Sequence, residues 1–185
     1  LLEHKTSNYK KNIKTVKYIH DENYMFLDVT TQRNLELIHN LRDGGTYGSL
    51  FDILDETKTP MGTRLLKEWI MHPLIKKQDI DDRLNIVEFF KDHIQKRQEL
   101  HDILKQMGDI PRLISRINYS STVNARNLLQ LQGGLKMIHE TTNLFSNVDH
   151  PLIREMIDEL NDFEEIISLI EHSRSEEHTS ELQSL

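Results

Sequence analysis

The sequence predicts a mainly α-helical fold: a multi-helical core with long antiparallel helices and minor β structure near the N-terminus. Three observations carry that prediction. From Ser49 onward, apolar residues recur at spacings of three and four, the period of one helix face. Capping residues bracket these runs, as at Ser49, Thr59-Pro60 and Gly108. Two successive segments carry the same 3-4-3-4-3 seam. One holds Leu128, Leu131, Leu135, Ile138, Thr142 and Phe145; the other holds Ile153, Met156, Leu160, Phe163, Ile167 and Ile170.

Each element has a local reason. Tyr24-Met25-Phe26-Leu27 is a short apolar run that reads as a strand. Asp43-Gly44-Gly45-Thr46-Tyr47-Gly48 reads as a flexible turn, because its glycines break regular structure. Ser49 caps a helix over 49–56, with Asp52 where a capping box has its acid. Thr59 caps the next, over 60–72, with Pro60 at the first helical position, where the missing N–H costs nothing. Its apolar face carries Met61, Leu65, Leu66, Trp69 and Ile70, and it should stop at His72-Pro73. Asp79 starts a helix over 79–94 with Ile80, Leu84, Val87 and Ile94. Trp69, Leu65, Leu66, Leu84 and Val87 are expected to form one buried core, because a large ring is most stable when covered. A helix over 97–107 ends at Gly108, and Asp109 caps a helix over 110–118 with Pro111 in its first turn.

The seams define helices over 122–146 and 151–172. A period of 3.5 gives the narrow stripe of a coiled-coil-like pair, and the short link Ser146–Pro151 makes antiparallel neighbours. Phe145 is expected nearest Ile153, and Leu131 nearer Ile167 or Ile170. Gly133-Gly134 inside the first helix costs about 1 kcal/mol per residue relative to Ala. Close packing or a bend would account for it.

Composition bounds the function. Leu, Ile, Val and Phe make up about 30% of the 185 residues, well above the ~20% below which chains stay disordered. No stretch free of charged residues exceeds nine residues, against ~20 for a membrane-spanning helix, so no membrane partner is expected. Zero cysteines exclude a disulfide framework and a thiolate zinc site, and fit a reducing compartment. A cytoplasmic location is therefore expected, without a signal peptide. The net charge of −7 disfavours a generally basic nucleic-acid coat.

Three segments are expected. Residues 1–20 carry five lysines against Glu3 and read as a linker or solvated helix face. Residues 21–173 form the helical core. The string Arg174-Ser175-Glu176-Glu177-His178-Thr179-Ser180-Glu181-Leu182-Gln183-Ser184 resembles a translated sequencing adapter, so 174–185 reads as a non-native tail.

No residue is assigned a catalytic, cofactor-binding or metal-binding role. The Gly44, Gly45 and Gly48 loop lacks the Lys that a phosphate loop needs. His139-Glu140-Thr141-Thr142-Asn143 begins like a zinc-protease helix, but the second His position holds Asn143. His93 and His101 flank an expected helix junction without metal geometry. Asp52, Asp55 and Glu56 suit a solvated first turn. No Ser stands with a recognisable base.

A longer pattern does carry identity. Leu27-Asp28-Val29-Thr30-Thr31-Gln32-Arg33-Asn34-Leu35-Glu36-Leu37 is followed by Ser49-Leu50-Phe51-Asp52-Ile53-Leu54-Asp55-Glu56-Thr57-Lys58-Thr59-Pro60-Met61-Gly62-Thr63-Arg64-Leu65-Leu66-Lys67-Glu68-Trp69-Ile70-Met71-His72-Pro73-Leu74. Ile80-x-x-Arg83-Leu84-x-x-Val87-x-x-Phe90 and Asp109-Ile110-x-Arg112-Leu113-x-x-Arg116 continue it. Over residues 20–172 this resembles the core of the MutS-family DNA mismatch repair proteins. Pro111 departs from the family's usual acidic residue.

The resemblance implies that 1–20 ends a connector and that 21–173 is the first half of a helical core with lever helices. It implies a longer parent that senses mismatched double-stranded DNA as a homo- or heterodimer, using ATP and Mg bound outside this window. The family's mismatch-reading Phe-x-Glu has no match in context, since Phe163-Glu164-Glu165 lies in the acidic lever. This segment would then be no enzyme itself, but would link the mismatch-binding and clamp regions to the ATPase. A 25-residue helix spans about 37 Å, enough to carry a rigid displacement. The alternatives are an unrelated all-helical protein-interaction scaffold, on the strength of the seams, and an autonomous DNA-binding domain, on the strength of the lysines at 5–17.

Overall fold

The computed structural model describes residues 23–119, 125–161 and 163–172. The expected linker over 1–20 and the tail over 174–185 lie outside them.

Helix α1 spans Val29–Asn34 and was not anticipated. Asp28 caps it: its carboxylate accepts from the Thr31 N–H at 2.8 Å and from the Thr31 hydroxyl at 3.1 Å. Helix α2 spans Leu50–Leu54, capped by Ser49 as its sequence predicts. Asp52 does not complete a capping box on Ser49. Its Oδ2 accepts from the Gly48 N–H at 2.9 Å, one residue further back. Helix α3 spans Pro60–Met71, with Thr59 Oγ1 accepting from the Gly62 N–H at 2.9 Å and His72 closing it before Pro73.

The expected strand at Tyr24–Leu27 does not form. Tyr24 makes a single antiparallel bridge with Leu74, supported by Met25 N–H to the Pro73 carbonyl at 2.7 Å and Ile75 N–H to the Asn23 carbonyl at 3.1 Å. The opposing segment is only the link between α3 and the next helix, and Pro73 has no N–H with which to extend a ladder. No strand occurs among the described residues.

Helix α4 spans Lys77–Asp92, starting two residues before the expected Asp79, which sits in its first turn. Helix α5 spans Ile94–Met107. The junction between them is His93 alone, so His101 lies within α5 rather than at a junction. Gly108 ends α5 with φ of 72°, where a side chain would be strained. Helix α6 spans Ile110–Tyr119 and helix α7 Ala125–Phe145.

The expected helix over 151–172 is two helices. Helix α8 covers Pro151–Asp158, and a second segment, α9, covers 164–172. Leu160 N–H bonds to the Ile157 carbonyl at 3.0 Å, the tighter i→i+3 pattern with which helices end. Asn161 follows, a residue whose side chain favours turns over helix interiors. The seam hid this break, because Leu160 and Phe163 still share a hollow with Leu135, His139 and Thr142 of α7.

The antiparallel direction survives the break. Gln132 Nε2 donates to the Ile167 carbonyl at 3.2 Å, close to the expected register for Leu131. α7 packs more extensively on α5 than on α6 or α8. Core residues Leu113, Leu135, Phe145 and Ile153 are buried on α6, α7 and α8, and Leu37 and Phe51 are buried near the N-terminal turn.

The expected core of Trp69, Leu65, Leu66, Leu84 and Val87 is not buried. Trp69 is 42% exposed, Leu65 47%, Leu84 57% and Val87 62%, with Leu66 half-buried. Instead the Arg83 guanidinium lies 3.7 Å from the Trp69 ring centre, a cation–π contact across the two helices. Periodicity identified the apolar face correctly. It could not show that no described element lies over that face.

Candidate functional site

The feature that organises this chain is the clasp around α7. At one end, the α5–α6 corner presses on Gly134. A Cβ there would lie 2.7 Å from the Met107 carbonyl oxygen and 3.0 Å from Ile110 Cγ1. The backbone of the corner therefore sits where any other residue would have a side chain. Gly133, one position earlier, faces open space. Close packing thus explains the second glycine of the pair and leaves the first without a structural reason.

The same corner is tied to α3. Arg64 donates twice to Asp109, with Nη1 to Oδ2 at 2.8 Å and Nη2 to Oδ1 at 2.9 Å. Such a fork-to-fork pair fixes orientation as well as distance. Asp109 also accepts from the Arg112 N–H at 3.4 Å at the start of α6. The Arg64 hydrogen bond, seconded by that N–H, holds the Asp109 carboxyl below its usual range, and the Arg64 pKa moves up in turn.

At the other end of α7, Lys96 of α5 donates to the Leu144 carbonyl at 3.0 Å, occupying one of the acceptors that a helix leaves open at its C-terminus. The Phe145 ring meets Phe90 edge-on at 5.8 Å. Phe90 follows Phe89, whose ring stacks on His93 at 4.2 Å and meets His150 edge-on at 5.4 Å. The order Met107–Gly134 and Lys96–Leu144 makes α5 and α7 the long antiparallel pair of the fold. The Gly133-Gly134 pair signalled close packing, but neither the Arg64–Asp109 tie nor the Lys96–Leu144 contact was legible in the sequence. Arg64 and Asp109 are 45 residues apart, and Lys96 and Leu144 are 48 apart, with no local pattern joining them.

The residues considered for chemistry are placed as follows. The 43–48 loop is a hydrogen-bonded turn rather than a loose one. Asn40 Oδ1 accepts from the Arg42 and Asp43 N–H groups, Asp43 Oδ1 accepts from the Gly45 N–H, and Asn40 Nδ2 donates to the Tyr47 carbonyl. The Gly45 N–H keeps the Asp43 carboxyl below its usual range and so anionic. N–H groups already engaged, beside a carboxylate, do not fit a nucleotide phosphate. His139 and Asn143 are both exposed on α7. His93 Nδ1 lies 2.8 Å from the Phe89 carbonyl, and His101 is pushed down mainly by burial, then by Lys58, Arg97 and Lys105. Asp55 binds Thr57, Glu56 pairs with Lys58, and Asp52 holds Gly48. Among the described residues no three His, Asp or Glu side chains gather to hold a metal ion. No described helix is long and apolar enough to cross a membrane.

What the geometry can do is mechanical: a 21-residue helix, about 31 Å long at 1.5 Å per residue, is gripped at two points on one neighbour. Comparison with known proteins places this arrangement. Residues 30–184 match the family described as MutS domain III. The chain belongs to that family. It is 40% identical over 150 residues to the DNA mismatch repair protein MutS of Bacillus licheniformis, covering 81% of this chain and 17% of that protein. To the MutS of Staphylococcus epidermidis it is 42% identical over 154 residues, covering 83% and 17%. To that of Streptococcus gordonii it is 36% identical over 159 residues, covering 86% and 19%. The chain thus spans less than a fifth of the length of these relatives. The helical core expected from the motifs at 27–37, 49–74, 80–90 and 109–116 is a MutS domain III core, and no finding favours the unrelated scaffold.

Proposed function

We propose that this MutS domain III is the transmission element of a longer, ATP-driven mismatch sensor. The sensor works in the cytoplasm as a homo- or heterodimer on mismatched double-stranded DNA. In this reading ATP and Mg bind elsewhere in the full-length protein, and the domain performs no chemistry. It links the mismatch-binding and clamp regions to the ATPase. The names of its relatives support the setting, and the double clasp on α7 supports the role. A helix held at Gly134 by Met107 and Ile110, and at Leu144 by Lys96, moves with α5 as one body. Displacement at one end then reaches the other without loss in bending, which is what coupling through a packed element requires.

Leu135→Pro in the full-length protein tests this. Leu135 is buried between the clasps, and proline there removes a helix hydrogen bond and clashes with the preceding turn. The variant must remain folded and bind ATP. Mismatched DNA should then be retained when ATP is added. Nucleotide-dependent release as in the unmodified protein would refute the transmission role.

A further inference from the structure

The α5–α6 corner that presses on Gly134 also borders a cleft of about 600 Å³. Met107 and Leu113 line it with apolar surface, Gln130 with an amide, and Arg112 and Arg116 with positive charge. Gly133 lines it too, with nothing within 4 Å of where its Cβ would lie. Three features that disfavour the domain by itself converge here. Arg112 and Arg116 stand four residues apart on α6, a spacing at which like charges destabilise a helix. Asp109 is the one acid among the described residues lining the cleft, and Arg64 already holds it at two points, with Arg112 Nε at 3.9 Å. Three guanidinium groups against one carboxylate leave two positive charges in excess, in a chain whose net charge is −7. Gly133 weakens α7, and no neighbour requires it. An anion in the cleft resolves all three. It bridges the two arginines, offsets the excess charge and uses the close approach that a residue without a side chain permits.

We propose that this cleft binds a small phosphate-bearing molecule of nucleotide size. Its phosphate lies between Arg112 and Arg116, and its organic part lies against Met107 and Leu113. Guanidinium forks match the geometry of a phosphate, whose several oxygens can serve both arginines at once. The Asp109 carboxylate does not oppose this, because Arg64 neutralises it from α3. The volume falls within the roughly 300–1,000 Å³ of small-molecule sites, and an apolar lining with a few polar groups is their usual composition. A nucleic-acid backbone is met instead by a groove of cations that tracks many phosphates. The proposal does not rest on the transmission role of α7.

The test irradiates the full-length protein with an azido derivative of AMP and maps the adducts by digestion and mass spectrometry. Adducts should fall within 106–116 or 130–133, and inorganic pyrophosphate should displace the probe there while adenosine does not. Labelling at any other nucleotide site of the full-length protein falls in other peptides and leaves this readout intact. Arg116→Gln should lower labelling in these segments roughly tenfold, as for one lost charge-assisted hydrogen bond. Gly133→Leu should lower it as much by filling the cleft, while raising thermal stability, because Leu is favoured over Gly in a helix. Loss of labelling in a more stable variant is not loss of the fold. Absence of adducts from both segments would overturn the proposal, as would equal displacement by adenosine or unchanged labelling in the two variants. A duplex oligonucleotide that displaces the probe better than pyrophosphate at equal phosphate concentration would assign the cleft to a nucleic-acid backbone, which also overturns it. None of these readouts depends on nucleotide-driven DNA release, so failure here is distinct from failure of the transmission reading.

Discussion

Gly133 and Gly134 are adjacent in sequence, share one helix and differ in what lies beyond them, so replacing each with Ala separates propensity from packing. Ala is favoured over Gly in a helix interior by about 1 kcal/mol. At Gly133 nothing lies within 4 Å of the new Cβ, so the full gain of about 1 kcal/mol should appear. At Gly134 the Cβ would sit 2.7 Å from the Met107 carbonyl oxygen and 3.0 Å from Ile110 Cγ1. The first neighbour is backbone and cannot swing away, so the α5–α6 corner must move. Overpacking of that kind costs typically 1–3 kcal/mol. After the propensity gain is subtracted, the net loss should be about 0–2 kcal/mol. For a chain of this size, 1 kcal/mol shifts Tm by about 2–4 °C. Thermal or urea unfolding followed by far-UV circular dichroism should therefore place Gly133→Ala above the unmodified chain and Gly134→Ala at or below it. If the two variants shift stability in the same direction by the same amount, the corner does not press on α7 and the clasp is wrong.

Three further outcomes follow from the same contacts. The Asp109 carboxyl titrates below its usual value in the fold, so the stability it contributes is present above the unfolded pKa of about 3.9 and is lost as the pH falls through the folded value. Asp109→Asn should flatten the acid limb of a stability–pH curve, and an unchanged limb would remove the Arg64 pair from the account. The purified 185-residue chain should show no specific ATP turnover in a phosphate-release assay cleared of contaminating ATPases, because the 43–48 turn has the Asp43, Gly45 and Gly48 N–H groups engaged and no lysine in it. Deleting residues 174–185 should leave Tm nearly unchanged in a thermal-shift assay, the outcome that a non-native tail predicts, and a large drop would show that the tail packs.

The sequence was most legible where the determinant is local. Ser49, Thr59-Pro60 and Gly108 sit within a few residues of the groups they satisfy, and each ends or begins a helix as read. Asp28 capping Thr31 is the same kind of signal, overlooked because α1 is only six residues long. Legibility failed where spacing continued across a change of backbone. The seam from Ile153 to Ile170 keeps its 3-4 rhythm through a turn, because Leu160 and Phe163 face α7 whether or not they are helical, and only Asn161 marked the break. It failed again where amphipathicity was equated with burial. Trp69 and Leu84 lie on apolar faces, but no described element covers them. The functional geometry was the least visible, since the Arg64–Asp109 and Lys96–Leu144 contacts join residues that only the tertiary fold brings together. Family motifs supplied what periodicity could not. They named the domain from stretches that include Arg64, Asp109 and Arg112.

The central claim is that α7 transmits displacement without bending. Spin labels at Gln130 and Glu140, both exposed on α7, lie ten residues apart, one on either side of Gly134 and Leu135, about 15 Å along the axis. A third label in the ATPase region proposed for the full-length protein, paired in turn with the one at Glu140, reports the movement of α7. The account predicts that the 130–140 distance distribution is the same with and without ATP on mismatched DNA, while the distance from 140 to the ATPase changes. A 130–140 distribution that shifts or broadens on ATP addition would show that the helix bends or unwinds instead, and would contradict it.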